Sequence, residues 1–294
     1  MRAIKYAVPT SVEDAIAILD EHGANARMLA GGTDLIVQVR ENQLDTEVFV
    51  DAKHIGELME LGANGAGTTL GAAVPCYQIY NDANFVALYP GIADATRIIG
   101  STGIQGRASV GGNLCNSGPA ADTIPALIVY GASCDIAGPG GRRSVPVEDF
   151  CTGPGTNVLE PNELLVSLSL PEPPASSGAH YLRFIPRNEM DIAVVGAGAQ
   201  ITLDGDTITA ARIALGAVAP TPLFVEEAGA ALIGKDANED AFEEAAQLAR
   251  EAARPINDMR GTIEHRKQLS YVLTKRALRG ALRRAKGMDI QNGH

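Results

Sequence analysis

A chain of 294 residues that is 46% hydrophobic and 20% charged has the composition of a folded globular protein, with length for about two or three packed units. Its net charge of −11, absent Trp and 4% aromatics exclude a general electrostatic footprint for nucleic acid and a stacking platform for single strands. No apolar run approaches the roughly 18 residues of a membrane span, and the start MRAIKYAVPTS lacks an apolar export segment, so a cytoplasmic protein with no membrane span is expected.

The first fifty residues read as a small β-α-β-α-β unit. Ile4 to Val8 is a strand, and Ser11 opens a helix with Glu13 and Asp14 in its first turn. Val12, Ala15, Ile16 and Leu19 form the apolar stripe of that helix, and Gly23 stops it. A strand over Met28 to Ala30 runs into Gly31-Gly32-Thr33-Asp34, followed by a short helix from Leu35 to Arg40 and a strand from Val48 to Asp51. From about Leu58 a hairpin is expected, with Asn64-Gly65 turning Leu58–Leu61 into Thr68–Ala72. Helices follow at Pro75 to Asp82 and Pro90 to Ile99.

The stretch from Ser101 to Thr123 is rich in glycine and small polar residues, with no clear period, and is expected to be an ordered loop of functional use. Beyond it come a helix ending at Tyr130, strands at Ser133–Ala137 and Arg142–Val147, and a half-buried strand from Val166 to Leu170. Pro171 to Gly178 is the best domain boundary. Strands at Tyr181–Ile185, Ile192–Leu203 and Thr207–Ala217 are then followed by helices at Leu223–Ile233, Glu239–Ala253 and Thr262–Lys286, with a frayed end from Gly287.

Chemistry points to two glycine-rich turns. In Ala30-Gly31-Gly32-Thr33-Asp34, glycines between a strand and a helix let the backbone approach a ligand, and the N–H groups of the helix start suit a phosphate. The alternative is a tight turn whose helix Asp34 caps. In Ser109-Val110-Gly111-Gly112-Asn113, a second glycine pair sits beside a hydroxyl and an amide, with Asp122 nine residues beyond Asn113. Backbone donors and the Ser109 and Asn113 side chains suit a diphosphate there, and Asp122 suits hydroxyl or ring N–H donors; glycines that merely permit turns are the alternative. Neither turn has G-x-G-x-x-G order or a Walker lysine.

Other features are read as structural. Val194-Val195-Gly196-Ala197-Gly198 resembles half of a dinucleotide fingerprint but leads into a hairpin, so it is expected to be a close-packed strand. Cys76, Cys115, Cys134 and Cys151 are scattered without a C-x-x-C pair, which fits buried thiols in a reducing compartment and assigns no metal ligand. The five histidines are dispersed, and no catalytic side chain is assigned. The basic helix from Thr262 is read as a solvated face, with a docking surface for an acidic partner as the sharper alternative.

At the two glycine turns the sequence resembles the flavin-binding medium subunit of the molybdenum hydroxylases, the family of aerobic carbon monoxide dehydrogenase and xanthine dehydrogenase. A third segment, Tyr181-Leu-Arg-Phe-Ile-Pro-Arg-Asn-Glu-Met-Asp-Ile-Ala193, matches the family in the same order, and the similarity runs over essentially the whole chain. The resemblance implies an α+β chain. Its parts are a two-subdomain FAD-binding fold (residues 1–57, a small β-α-β unit, and 58–174, a larger mixed sheet with helices) and a C-terminal domain (175–294) of three antiparallel strands and a helical bundle.

The resemblance also implies noncovalent FAD, with contacts carried over to Ala30, Gly31, Gly32, Thr33, Asp34, Leu35, Ile99, Ser109, Val110, Gly111, Gly112, Asn113, Asp122, Leu165 and Arg183. Asp122 would reach the polar part of the cofactor, Leu165 would pack near the adenine or ring, and Arg183 stands where relatives often carry a flavin-contacting lysine. The implied role is electron transfer from iron–sulfur clusters to an external acceptor. The implied partners are a small iron–sulfur subunit and a large molybdopterin subunit in a dimer of heterotrimers. A self-sufficient FAD-dependent oxidoreductase and a non-enzymatic nucleotide-binding module are the rival readings.

Overall fold

The computed structural model describes residues 3–288, which form three larger sheets, each with helices packed on it; of the expected frayed end, residues 289–294 lie outside the described residues. Strands β1 (Lys5–Ala7), β2 (Ala26–Leu29) and β3 (Val48–Asp51) make a parallel sheet in the order β1-β3-β2. Helix α1 (Val12–His22) crosses between the first two. The Ser11 hydroxyl accepts the Asp14 N–H at 3.1 Å, and Gly23, at φ +51°, ends the helix with its own N–H on the Leu19 carbonyl. Val12, Ala15 and Leu19 are buried with Val48 and Val50, and the same cluster takes in Leu164 and Val166 of the next sheet. The first unit therefore shares its core with the second. After β2 the chain turns into α2 (Leu35–Arg40).

The second sheet runs β4-β5-β10-β6-β7, with every neighbouring pair antiparallel. Its strands are β4 (Leu61–Ala63), β5 (Gly67–Gly71), β6 (Ser133–Gly138), β7 (Gly141–Pro146) and β10 (Leu164–Pro171). Leu58 is not in a strand: Gly56–Met59 forms a single 3-10 turn, and the hairpin begins at Leu61, opposite Leu70. Between β5 and β6 lie α3 (Cys76–Asn81), α4 (Ala83–Leu88), α5 (Pro90–Thr96), α6 (Thr102–Gln105), α7 (Val110–Asn116) and α8 (Thr123–Val129). The expected loop over 101–123 thus contains two helices. Gly111 and Gly112 hide α7 from any propensity argument, and burial of Val110 and Leu114 in the main core overrides the cost of two glycines. Helix α9 (Val147–Phe150) and the ribbon β8 (Cys151–Gly153) with β9 (Thr156–Asn157) lead to β10.

The third sheet, β11-β12-β13-β14, is antiparallel: β11 (Ser177–Phe184), β12 (Val195–Asp204), β13 (Thr207–Gly216) and β14 (Leu223–Phe224). It has four strands, not three, because Leu223 and Phe224 pair with Leu215 and Ala214 rather than opening a helix. The helix expected there is confined to α10 (Glu226–Ala230). Helices α11 (Glu239–Ala252) and α12 (Ile263–Ala285) cover this sheet, burying Phe242, Leu273 and Leu278 with Val195, Ile201 and Ile213. Gly178 lets α12 lie directly on β11, since a Cβ there would stand 2.3 Å from the Ala281 carbonyl.

The basic side chains of α12 are largely committed within the chain. Arg266 meets Asp258, Lys275 meets Glu243, Arg279 meets Glu239 and Arg284 meets Asp94, and Lys286, which follows the helix, meets Asp206.

Candidate cofactor site

The two glycine turns come together. Cys76 N–H donates to the Ala108 carbonyl at 2.8 Å, and Pro75 and Ser109 form an isolated bridge, which lays the second turn beside the end of β5. Gly31 of the first turn then packs on the second: a Cβ on it would lie 2.7 Å from the Arg107 carbonyl oxygen and 3.0 Å from the Ala108 Cα. Gly111 packs in the same way on Ala72, whose carbonyl oxygen would be 2.5 Å from a Cβ. These two glycines let chain meet chain, a use beyond the close ligand approach expected of them, and both also line the cleft. Gly32 is needed for its backbone, at φ +75°. Around Gly112 the ideal Cβ meets the Ser109 hydroxyl at 2.9 Å and then the Ala30 Cβ at 3.9 Å, so here the backbone is covered by little but its own cap.

Both turns feed helix starts. Ser109 is the N-cap of α7, and its Oγ accepts the Gly112 N–H at 3.1 Å. That hydroxyl keeps its proton as a donor. Asp34 occupies the N-cap position of α2 but makes no side-chain cap bond; the Thr33 hydroxyl donates to its Oδ2 at 3.4 Å instead. Of the first-turn N–H groups, that of Gly112 is taken by the Ser109 cap and that of Ile36 by the Gly32 carbonyl at 3.2 Å; the others lack helical acceptors by geometry and carry the positive end of the peptide dipoles. Gln38 Nε2 donates to Asn116 Oδ1 at 3.1 Å, tying α2 to α7 across the seam. Asn113 is fixed from behind, with its Oδ1 accepting from the Thr123 hydroxyl at 2.7 Å and the Thr123 N–H at 3.3 Å.

The turns open on a cleft of about 740 Å³, within the range that holds cofactor-sized ligands. Ala30, Gly31, Gly32, Thr33, Asp34 and Leu35 line one wall, and Ser109, Gly111, Gly112 and Asn113 another, with Ile99 and Leu165 also facing it. Val110 does not; its side chain is buried in the main core. Asp122 and Arg183 do not line the cleft either. They pair with each other at 2.5 Å behind it. Burial pushes the Asp122 carboxyl up to about 6 against the pull of Arg183 and of the Tyr181 hydroxyl, which donates to Oδ1 at 2.9 Å.

Sequence reasoning missed Arg27, Gln38, Ala73 and Asn116, and Glu160, Pro161, Glu163 and Leu164 of the turn before β10, all of which line the cleft. Gln38 and Asn116 were findable, since they follow Asp34 and Asn113 by one helical turn on the same face. The 160–164 turn carries no local signal and arrives through β10.

The donor set fits a diphosphate held by amides. Arg27 is the cation lining the cleft, beside the acids Asp34, Glu160 and Glu163. Glu163 is neutralised from outside by Arg143, whose Nε and Nη2 donate to its two oxygens at 2.8 and 2.6 Å and hold its carboxyl below the usual range. Apolar lining from Leu19, Ile99, Leu164 and Leu165 suits aromatic ring systems. An elongated ligand with a central diphosphate and ring ends, such as FAD, matches both features. Behind the seam, Lys53 donates to the Ala73 carbonyl at 2.9 Å, and burial with the nearby Arg107 guanidinium lowers its ammonium to about 8. Among the described residues no three His, Cys, Asp or Glu side chains gather as a metal site, and no helix is long and apolar enough to cross a membrane.

Comparisons with known proteins agree with this geometry. A family model described as "FAD binding domain in molybdopterin dehydrogenase" matches residues 2–173, and one described as "CO dehydrogenase flavoprotein C-terminal domain" matches 180–281. The carbon monoxide dehydrogenase medium chain of Afipia carboxidovorans is 34% identical, over 96% of this chain and 97% of its own length. The putative xanthine dehydrogenase FAD-binding subunit of Escherichia coli is 29% identical over 96% and 97%. A solved chain of carbon monoxide dehydrogenase from Hydrogenophaga pseudoflava superposes with a TM-score of 0.92 at 31% identity, covering 96% of this chain and 98% of that one. A cleft built from two glycine turns, in a chain matched over 96% of its length, places it plainly: it belongs to the FAD-binding flavoprotein family of the molybdopterin dehydrogenases.

Proposed function

We propose that the chain is the FAD-binding electron-transfer subunit of a molybdenum hydroxylase complex. Its task is to hold FAD between iron–sulfur centres in a small partner subunit and an external acceptor, with substrate chemistry at a large molybdopterin subunit. A dimer of heterotrimers is the assembly we favour. The observation that carries the reading is the meeting of two glycine turns, each opening a helix, at a 740 Å³ cleft poor in side-chain cations.

In this reading the first-turn N–H groups of α2 and α7 that no cap or carbonyl takes up face the diphosphate, with the Ser109 hydroxyl as an added donor. Asn113, oriented by Thr123, supplies an amide on the same wall. Ile99 and Leu165 shield the ring systems from water, and Gly32 fixes the backbone turn that aims the α2 start. FAD, when bound, supplies the ability to take electrons singly and release them in pairs. The protein then needs to bind and aim the cofactor, with no side chain assigned as acid or base.

The test uses the full chain, purified and titrated with FAD under absorbance and fluorescence. Stoichiometric yellow cofactor, lost on Gly32→Val substitution, supports the reading; a colourless chain that takes up ADP but not FAD supports a nucleotide-binding module and sinks it. Reduction of the bound cofactor by an organic substrate without partner subunits would instead mark a self-sufficient enzyme.

A further inference from the structure

The walls of the cleft carry little cationic charge, yet two cations stand one layer behind them. Lys53 follows β3, and Arg107 sits in the turn between α6 and α7. Each bonds a carbonyl of a residue that lines the cleft: Lys53 Nζ that of Ala73 at 2.9 Å, and Arg107 Nε that of Gly31 at 3.4 Å. The Gly31–Gly32 peptide is trans, so turning its carbonyl to Arg107 turns the Gly32 N–H the opposite way. Among the described residues that N–H meets no backbone carbonyl.

Neither cation is neutralised. The acid beside Lys53 is Asp51 on β3, and its oxygens are already engaged. The Tyr6 hydroxyl of β1 donates to Oδ2 at 2.5 Å, His54 Nδ1 meets the same oxygen at 3.0 Å, and the Lys53 backbone N–H donates to Oδ1 at 3.0 Å. Cys76 of α3 also faces Lys53, but burial pushes its thiol up to about 12, so it carries no charge. Among the described residues neither Lys53 nor Arg107 forms an ion pair. Burial and the Arg107 charge together lower the Lys53 ammonium to about 8. Like charges held together without an acid are a standing cost, and an anion in the cleft relieves it.

We propose that Lys53 and Arg107 are the cationic half of the phosphate cradle, acting through its wall: Arg107 fixes the Gly31–Gly32 peptide, and the two charges together attract the diphosphate that the amides hold. The proposal rests on FAD occupying the cleft. Both are positioning residues, since neither lines the cleft. An anion raises a lowered ammonium, so binding at about pH 8.5 takes up a proton at Lys53. Affinity then declines as pH climbs from about 7.5 to 9 and that proton is lost.

The experiment titrates the full chain by calorimetry with FAD and, separately, with ADP. It is run at about pH 8.5 in two buffers of different ionisation enthalpy, and again at rising salt. The wild type should take up a fraction of a proton with either ligand, and Lys53→Met should take up none. Lys53→Met and Arg107→Met should each bind both ligands about fivefold more weakly at low salt, with a shallower salt dependence. Arg107→Lys keeps the charge and should recover most of the loss. A purely structural role for these side chains moves neither the proton count nor the salt slope. Zero proton uptake by the wild type overturns the proposal and needs no variant to fold. So does uptake that persists in Lys53→Met, an Arg107→Lys chain as weak as Arg107→Met, or variants with the wild-type salt dependence. A wild-type chain that binds neither FAD nor ADP overturns the functional reading, and this inference with it.

Discussion

Arg284, near the end of the last helix, grips both carboxylate oxygens of Asp94 on α5, at 2.6 and 2.8 Å. His180 of β11 adds Nδ1 to the same carboxylate at 2.7 Å, and its ring lies on Gly280, where a Cβ would be 2.3 Å away. This second fastening between the C-terminal and cofactor-binding halves is mostly buried. Arg284→Met should strand the Asp94 charge and destabilise the chain by about 3 kcal/mol, read as a fall in the denaturant midpoint.

The same carboxylate gives a pH dependence. Burial alone would raise Asp94, but hydrogen bonds from Arg284 and His180 outweigh it and hold the carboxyl below 3.8. A depressed acid adds stability above its unfolded pKa that is lost as pH falls through the folded one. Wild-type stability should therefore drop more steeply below pH 4 than that of Asp94→Asn, although the variant is weaker at pH 7. Parallel melting curves from pH 7 to 3 in both proteins would refute this.

Lys53 titrates in the opposite range. Its folded ammonium, lowered to about 8 from 10.5, holds fewer protons than in the unfolded chain between those values. Stability from this group should rise as pH climbs from 8 to 10.5. Comparison of thermal midpoints for wild type and Lys53→Met across that window should show the rise in the wild type only.

The glycines of the cleft should separate by what they touch. Gly111→Ala drives a Cβ onto the Ala72 backbone and is expected to cost about 2–3 kcal/mol, with loss of FAD retention. Gly32→Ala strains a left-handed residue and should cost about 1–2 kcal/mol. Gly112→Ala meets only the movable Ser109 hydroxyl within 3 Å and should leave folding nearly intact. Chemical denaturation of the three variants ranks them, and a Gly112→Ala loss equal to that of Gly111→Ala would contradict the packing described.

Cys115 faces the cleft, yet burial pushes its thiol up to about 12. At pH 8 little thiolate is present to react. Iodoacetamide labelling of the folded chain followed by peptide mapping should find Cys115 nearly unmodified, with or without FAD.

Locally encoded features were legible without coordinates. Ser11 with its apolar stripe, the strand-glycine-helix order at Ala30–Asp34, and the proline-rich stretch from Pro171 each depend on neighbours in the chain, so the sequence alone determined these local elements and the two glycine turns, while the α+β class was legible through the resemblance of the whole chain to its family. The pairing of Leu223 with Leu215 and the helix running through Gly111 and Gly112 were not legible, because strand partners and core burial decide them. Nor could the sequence say that Gly31 and Gly111, besides lining the cleft, pack on Arg107 and Ala72, while Gly112 meets little but its own cap. Most of all, tertiary structure decided the place of Arg183 and Asp122. They stand 61 residues apart, and only folding brings the guanidinium and carboxylate together behind the cleft wall, where each satisfies the charge that burial would otherwise leave exposed to a low dielectric.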